Sequence, residues 1–443
     1  MLDTQKSNTS YIFIPFRYDD PAHFSYMTDS LEKNRNWVQV KDEILYMLKY
    51  VADKLDSDDR RNCQCFHFEL SDTARARFNI AALDAWCSTE AHEYQGEPVT
   101  YRFRLQNIHL YNFSTTVCMF AFQLVFESDD PLWISSALYN LKKVSRERIT
   151  MAGDAEGPTT TLLEIAKKLI AQNSDGTSYD FFFYANPMTE RSNVLTYIEV
   201  EPKDDYKYEL YYLRRCYSDG FLYAENKELD DQELYAPSQD ILWGISPEAS
   251  VCLSCPKLGR EAFIHGTFYK NFNAQYLFMY VLLLHQKYVL YMLLTKIGVG
   301  TYNDLETLEA YRHQLYEFET DFVFSCVTEV PQYQALYERM GEAFALKKMF
   351  GDVREPLLSL GEVRRASAEA EQRKRDKGVD RALFTLSLLS FFSALVDSFD
   401  FADAFFGWFL GEAGIKIVQT VFILAIIVAM GFVVRRLFAS KRD

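Results

Sequence analysis

Residues 417–434 read IVQTVFILAIIVAMGFVV, eighteen consecutive residues without a charged side chain. At 1.5 Å per residue a helix of this length covers about 27 Å, close to the roughly 30 Å hydrocarbon core of a bilayer. Arg435, Arg436, Lys441 and Arg442 follow it directly. We interpret the stretch as a transmembrane helix, with a core helix that is apolar on every face as the alternative.

A second uncharged run precedes the first one in the chain. Residues 382–396 read ALFTLSLLSFFSALV, and the segment is long enough to span a bilayer if it continues to residue 406. It follows the basic sequence RKRDK at 373–377, whereas the connection between the two runs is acidic. Because basic flanks stay in the cytoplasm, we expect a short outer loop and both termini inside.

The predicted membrane part is therefore a two-helix hairpin over residues 382–434, with spans at about 382–406 and 417–434. A basic cytosolic tail follows at 435–443, and the expected location is the inner membrane of the cell. The alternative is a single C-terminal anchor preceded by an interfacial helix.

One further apolar segment favours a different interpretation. Residues 276–284 read YLFMYVLLL, but His285, Gln286 and Lys287 interrupt the segment before YVLYMLL resumes. Polar and charged side chains in mid-span are costly in lipid. The pattern therefore predicts a buried helix of the soluble part.

The N-terminal part alternates short β-branched and aromatic runs with helical patterns, which predicts an α/β or α+β domain over residues 1–265. The predicted strands are 11–18, 64–70, 99–105, 115–127, 179–185, 194–201 and 208–215, and the predicted helices include 41–55 and 160–171.

The pattern then becomes helical without strands over residues 266–355, with predicted helices at 272–297, 303–329 and 332–350. Pro331 and Pro356 punctuate this region, because proline interrupts a helix interior. Residues 356–381 favour a helix and run into the first predicted span without an obvious break. We expect a stalk helix there, with a charged solvated linker as the alternative.

Composition excludes some classes of function. The 443 residues carry a formal charge of −15 and are 49% hydrophobic. An acidic chain lacks the basic footprint of a nucleic-acid binder, so no nucleic-acid partner is expected. Residues 1–10 contain no apolar signal segment, and the eight cysteines are scattered, which favours reduced thiols in the cytosol.

No motif in the sequence predicts an enzyme or a bound cofactor. Phosphate-binding loops, dinucleotide fingerprints, zinc-protease helices and nucleophile elbows are all missing. Cys252 and Cys255, together with Cys63, Cys65 and His67, could form a zinc site, but the two groups lack the set spacing of paired knuckles. Buried thiols on strands are the simpler interpretation, and the identity of any bound metal stays unknown.

The first predicted span has a small and polar face. On a helical wheel Ser390, Ala394 and Asp397 lie within about 80° of Ser387, and Asp400 lies nearby at the outer end. An ionisable residue near a span needs water or a partner, so we expect these residues to line a pore. Two helices cannot enclose a channel, and a pore therefore requires a homo-oligomer. Serines at a helix–helix contact are the alternative.

These features together resemble the CorA family of divalent-cation transporters. The shared pattern is a cytosolic α/β domain, long helices, a stalk, two C-terminal spans and a basic tail. The family signature in the outer loop is Tyr-Gly-Met-Asn-Phe. Here Phe406, Gly407, Trp408 and Phe409 stand in its first four places, and only the glycine is retained.

The resemblance implies a function and an assembly. It implies a pentamer that moves Mg²⁺ or another divalent cation, with the ion as cargo and with lipid and its own copies as partners. The large domain could also bind a cytosolic small molecule. Some relatives without the signature are similar to nucleotide-gated effectors of prokaryotic defence systems, which is one alternative. A membrane-anchored binding protein that conducts nothing is the other.

Overall fold

The computed structural model describes residues 8–41, 44–56, 60–151, 159–171, 177–181, 191–225, 232–256, 259–298 and 305–406, and parts of 411–428. The chain divides into two compact units, Met1–Leu360 and Gly361–Asp443. The predicted α/β domain at 1–265 and the whole of the predicted helical region at 266–355 belong to the first unit.

Twelve strands of the described residues form one mixed sheet in the first unit. They are β1 (Asn8–Arg17), β2 (Trp37–Val40), β3 (Cys65–Leu70), β4 (Trp86–Tyr94), β5 (Glu97–Phe113), β6 (Val117–Phe126), β7 (Ile149–Thr150), β8 (Thr159–Thr160), β9 (Val194–Glu199), β10 (Leu234–Ser238), β11 (Ile241–Ile245) and β12 (Ala249–Ser254). The main order is β10-β11-β12-β9-β1-β6-β5-β4-β7-β8, and β3 pairs with both β2 and β5. Neighbouring strands are antiparallel except β12 and β9, which are parallel.

Helices cover both faces of this sheet because successive side chains of a strand point to opposite sides. The shorter helices are α1 (His23–Lys33), α2 (Lys49–Leu55), α3 (Asp72–Phe78), α4 (Pro131–Leu141), α5 (Leu162–Ala171) and α6 (Lys207–Leu213). In β1, Ile12 and Ile14 belong to a core with α1, α3, α4, α5 and α6. Tyr11 and Phe13 belong to a second core with α2 and the later helices. The first unit is thus a three-layer α/β/α structure, which confirms the predicted mixed α/β character.

Most of the predicted strands are confirmed, and one is wrong. Residues 11–18, 64–70, 99–105, 115–127 and 194–201 coincide with β1, β3, β5, β6 and β9. Residues 208–215 instead lie mostly in helix α6, where Leu210 and Leu213 are buried and Tyr208 is exposed. Two buried leucines at i and i+3 follow the helical period. The neighbouring tyrosines, which are typical of strands, led to the wrong prediction. Residues 179–185 lie mostly outside the described residues.

Two helix predictions also need correction. Within 41–55 only Lys49–Leu55 is helical, whereas 160–171 agrees with α5. After Pro331, which begins α9 (Pro331–Ala343), the helix ends before Ala345, whose φ of 55° is left-handed. Pro356 does not separate two helices, because it lies inside α10 (Leu346–Phe406).

The long apolar helix of the first unit is buried, as predicted. It comprises two π-helical segments, Phe263–Phe268 and Phe272–Tyr276, and then α7 (Leu277–Gly298). Within the described residues, Phe263–Ile297 is the one helix with the length and apolar character of a membrane span, and 83% of its most apolar window is buried inside the protein. It packs with α8 (Leu305–Phe322) and α9 in the second core. A shorter apolar helix lies at Lys416–Ala425.

We expect His285 to make the stability of the first unit depend on pH. It is fully buried in α7, and its Nε2 lies 2.7 Å from the Thr115 hydroxyl. Its ring stacks on Phe113 with 3.8 Å between centroids. Burial lowers the pKa of His285 to about 3. The unfolded chain therefore binds a proton more readily, so the stabilising contribution is full above pH 6.5 and is lost as the pH falls toward 3.

We therefore expect the free energy of unfolding to fall by about 2 kcal/mol between pH 7 and pH 5 through this group, at about 1.4 kcal/mol per pH unit below 6.5. Urea titrations followed by tryptophan fluorescence at the two pH values measure the change. His285→Gln should flatten the pH dependence, whereas His313→Gln, at a surface site, should leave it unchanged. An equal pH dependence in both variants would refute the role of His285.

Candidate functional site

The predicted pore residues lie on one continuous helix. Ser387 and Ser390 are exposed in α10, and the backbone at Ala394, Asp397 and Asp400 is helical as well. With 100° per residue, Asp397 lies about 80° from Ser387, and Asp400 lies about 140° from Ser387 in the same direction. Asp400 is therefore a neighbour of Asp397 and not a member of the polar stripe, as we call the face formed by Ser387, Ser390, Ala394 and Asp397.

Apolar side chains surround the same helix. Leu383 lies one turn before Ser387 and about 40° from it, on the same side as the rest of the stripe. Phe391 lies one turn after Ser387 and about 40° from it, on the opposite side. Both are exposed. The stripe therefore begins at Ser387 and is bordered by an aromatic ring. In the outer loop Phe406 is the last residue of α10, whereas Gly407, Trp408 and Phe409 lie outside the described residues.

The two cysteine groups do not form a common site. Cys252 and Cys255 lie on or next to β12, and Cys63 and Cys65 lie on or next to β3. Strands β9, β1, β6 and β5 separate β12 from β3, which corresponds to about 24 Å at about 4.8 Å per strand. No disulfide joins the eight cysteines, and seven of them are buried. His67 of the second group instead belongs to a different cluster.

That cluster is His67, Glu69 and His109, which we call the His-Glu-His cluster. Glu69 of β3 is paired with His109 of the antiparallel β5, and His67 lies two residues earlier on the same face. The Nε2 of His67 is 3.0 Å from the Nδ1 of His109, and the Oε1 of Glu69 is 3.4 Å from that same Nδ1. Both histidines are buried, and Glu69 is half-buried.

The surroundings hold the carboxylate of Glu69 in its ionised form. A hydrogen bond with His109 lowers the pKa of Glu69 to about 2, against the opposing effect of burial. A further hydrogen bond with Asn107 acts in the same direction. Asn107 lies at a register shift of β5 against β6, and such bulges redirect side chains. The cluster thus joins one negative charge to two imidazoles.

An open cleft of about 930 Å³ borders the cluster through Glu69. Arg104, Gln123, Trp86 and Asn273 are among its other lining residues. The guanidinium carbon of Arg104 lies 4.3 Å from the centroid of the Trp86 ring, and its Nε is buried without a hydrogen-bond acceptor among the described residues. The cleft can therefore admit a small polar ligand from solvent, with a cation and a carboxylate in its wall.

Glu69 and His109 did not emerge from the sequence as site residues. The available signal was the alternation in His67-Phe68-Glu69, which places a histidine and a carboxylate on one face of a strand. His109 is 40 residues away along the chain, so only the pairing of β3 with β5 brings it to them.

No protein-family model, no curated protein and no solved structure matches this chain.

Proposed function

We propose that the chain is a membrane cation channel or transporter, assembled as a homo-oligomer around its first span. The two-helix hairpin at 382–434 provides the membrane part, and the cytosolic first unit binds a ligand that controls it. Mg²⁺ or another divalent cation is the proposed cargo, because Mg²⁺ keeps its waters and needs few carboxylates for binding.

The observation that carries the proposal is the exposure of apolar side chains in the second unit. The large apolar residues exposed in its described part are Val379, Leu383, Phe384, Leu386, Leu389, Phe391, Ile417, Val421, Ile423, Leu424 and Val428. Between Leu383 and Phe391 the exposed fractions are 39–61%. Exposed apolar surface of this extent marks a contact with lipid or with other helices.

The distribution of these side chains favours lipid and neighbouring helices together. Leu383, Phe384 and Leu389 point in different directions around the helix, because they differ by 100° per residue. Apolar side chains exposed in several directions are typical of a helix that contacts lipid. The stretch from Ser387 toward Asp397 offers a polar path, and copies of the chain would have to place it on a common axis.

The cleft beside Glu69 supports control by a ligand. It is large enough for a small molecule, and it presents Arg104 and Glu69 to solvent. A pore that opens on binding a cytosolic nucleotide, as in the defence effectors, remains the alternative mode of control. A tether that conducts nothing is the competing function.

Reconstitution of the full-length chain tests the proposal. In liposomes loaded with a fluorescent Mg²⁺ indicator, we expect entry of Mg²⁺ above that of empty liposomes, and a closed oligomer after extraction in mild detergent. Reporters fused before Met1 and after Asp443 should both report the cytoplasm. A strictly monomeric protein without ion flux, at several protein concentrations, would favour the tether and refute the channel.

A further inference from the structure

We infer that His67, Glu69 and His109 form a binding site for one divalent first-row transition-metal ion in the first unit. The proposal is independent of the proposed transport function, because none of the three residues belongs to the membrane part. The three side chains come from two neighbouring strands, and each offers one ligand atom. All these atoms lie within 4.8 Å of one another.

Two of the three distances between ligand atoms fit a bound metal ion, and the third is at most 4.8 Å. In a tetrahedral zinc site with bonds of about 2.0–2.1 Å, two ligand atoms are about 3.3 Å apart. The cluster has 3.0 Å between His67 Nε2 and His109 Nδ1, and 3.4 Å between His109 Nδ1 and Glu69 Oε1. Histidine binds metals in its neutral form, so His67 Nε2 and His109 Nδ1 would exchange their mutual hydrogen bond for bonds to the ion.

The sheet fixes the ligands before any metal arrives. The two strands pair from Cys65 and Phe113 as far as the cluster, with His67 opposite Tyr111 and Glu69 opposite His109. The His67 ring stacks on the Tyr111 ring, with 4.3 Å between centroids and 12° between planes. Asn107 hydrogen-bonds the Glu69 carboxylate. Such supporting contacts orient the ligands and raise metal affinity.

The donor set selects the class of ion. Two imidazoles and one carboxylate suit Zn²⁺, Fe²⁺ and Co²⁺, whereas Mg²⁺ prefers oxygen ligands throughout. Three protein ligands leave at least one coordination position for water or for a ligand atom, which is the pattern of open zinc sites. Glu69 also lines the solvent-filled cleft, so the ion has an entry path. The site is thus distinct in chemistry from a pathway for hydrated Mg²⁺.

Titration with Co²⁺ and Zn²⁺ tests the inference directly. The full-length protein, purified in detergent and treated with a chelator, should bind one Co²⁺ per chain, with the visible absorption of a four- or five-coordinate ion. Zn²⁺ should displace the Co²⁺ and abolish the absorption. Mg²⁺ in large excess should do neither. Isothermal titration with Zn²⁺ gives the affinity.

The variants separate the three ligands from the other histidines. His67→Gln and His109→Gln should each weaken Zn²⁺ binding by about 100-fold or more, beyond the roughly 10–100-fold effect of losing an outer partner. His92→Gln is the matched control, because His92 lies in the same sheet, 2.7 Å from a buried glutamate. It should leave the affinity and the Co²⁺ spectrum unchanged.

Glu69→Gln keeps the test decisive if a histidine variant fails to fold, because Glu69 is half-buried and its replacement keeps the size of the side chain. In chelator its thermal unfolding midpoint should lie below that of the parent, because the carboxylate that His109 and Asn107 stabilise is lost. Zn²⁺ should not give this variant the midpoint increase that it gives the parent. Parental Zn²⁺ affinity in Glu69→Gln, or the absence of Co²⁺ absorption in the parent, would overturn the inference and leave the cluster as a hydrogen-bonded part of the core.

Discussion

Glu233→Gln is expected to lower the free energy of unfolding of the first unit by about 3 kcal/mol, at the lower end of the effect of breaking a buried ion pair by removing one partner. The Oε2 of Glu233 is 2.7 Å from both Arg214 Nε and an Arg215 nitrogen. The Arg214 side chain is 1% exposed and that of Glu233 is 14% exposed. Removing the carboxylate leaves a buried guanidinium charge whose desolvation is no longer offset.

A second ion pair provides the matched control. Glu127 lies 2.6 Å from Arg102, but both side chains are more than 40% exposed. Glu127→Gln should therefore change the free energy of unfolding by less than about 1 kcal/mol, because solvent screens exposed pairs. Urea titrations of the full-length chain at pH 7 measure both variants. Equal effects of the two substitutions would contradict the structural difference between buried and exposed pairs.

The sequence predicted the parts of the fold that depend on local periodicity. Alternating side-chain character indicated strands at β1, β5 and β6. The polar residues within α7 indicated a buried core helix and not a membrane span. Strands β10–β12 were missed because they are only five or six residues long, and because β11 and β12 are buried on both faces, so that the alternation of apolar and polar residues is weak. The prediction that Pro356 interrupts a helix was wrong for another reason. Proline is disfavoured inside helices, but this long helix contains one.

The two candidate sites also differ in how far the sequence predicts them. The stripe from Ser387 follows from helical periodicity alone, and the continuous helix made it possible to see that Asp400 departs from it. The His-Glu-His cluster depends on strand pairing between distant segments, which no local pattern specifies. Sheet register decides which side chains share a face, and a shift of one residue would separate His109 from Glu69.

Asp397 matters most for the proposed channel. Each subunit would contribute one copy near the outer end of the first span, and a ring of carboxylates concentrates cations and repels anions. Asp400 is its neighbour on the helix, about 60° away. The double variant Asp397→Asn and Asp400→Asn keeps size and polarity and removes the charge. We expect lower cation conductance or loss of the preference for cations over anions, with unchanged expression and oligomer size.

Two comparisons decide whether that effect comes from a conducting path. Aspartates that merely face bulk water would be screened over about 8 Å at physiological salt, and their removal would then change little. Ser390→Leu provides the matched steric variant, because it narrows the same face without changing charge and should reduce flux while preserving selectivity. Reversal potentials in proteoliposomes distinguish the two effects. Parental flux and selectivity in both variants would exclude the stripe as the path of the ions. Lost selectivity in the double variant, together with reduced flux in Ser390→Leu, would mean that the aspartates set the selectivity of the pore and that Ser390 sets its width.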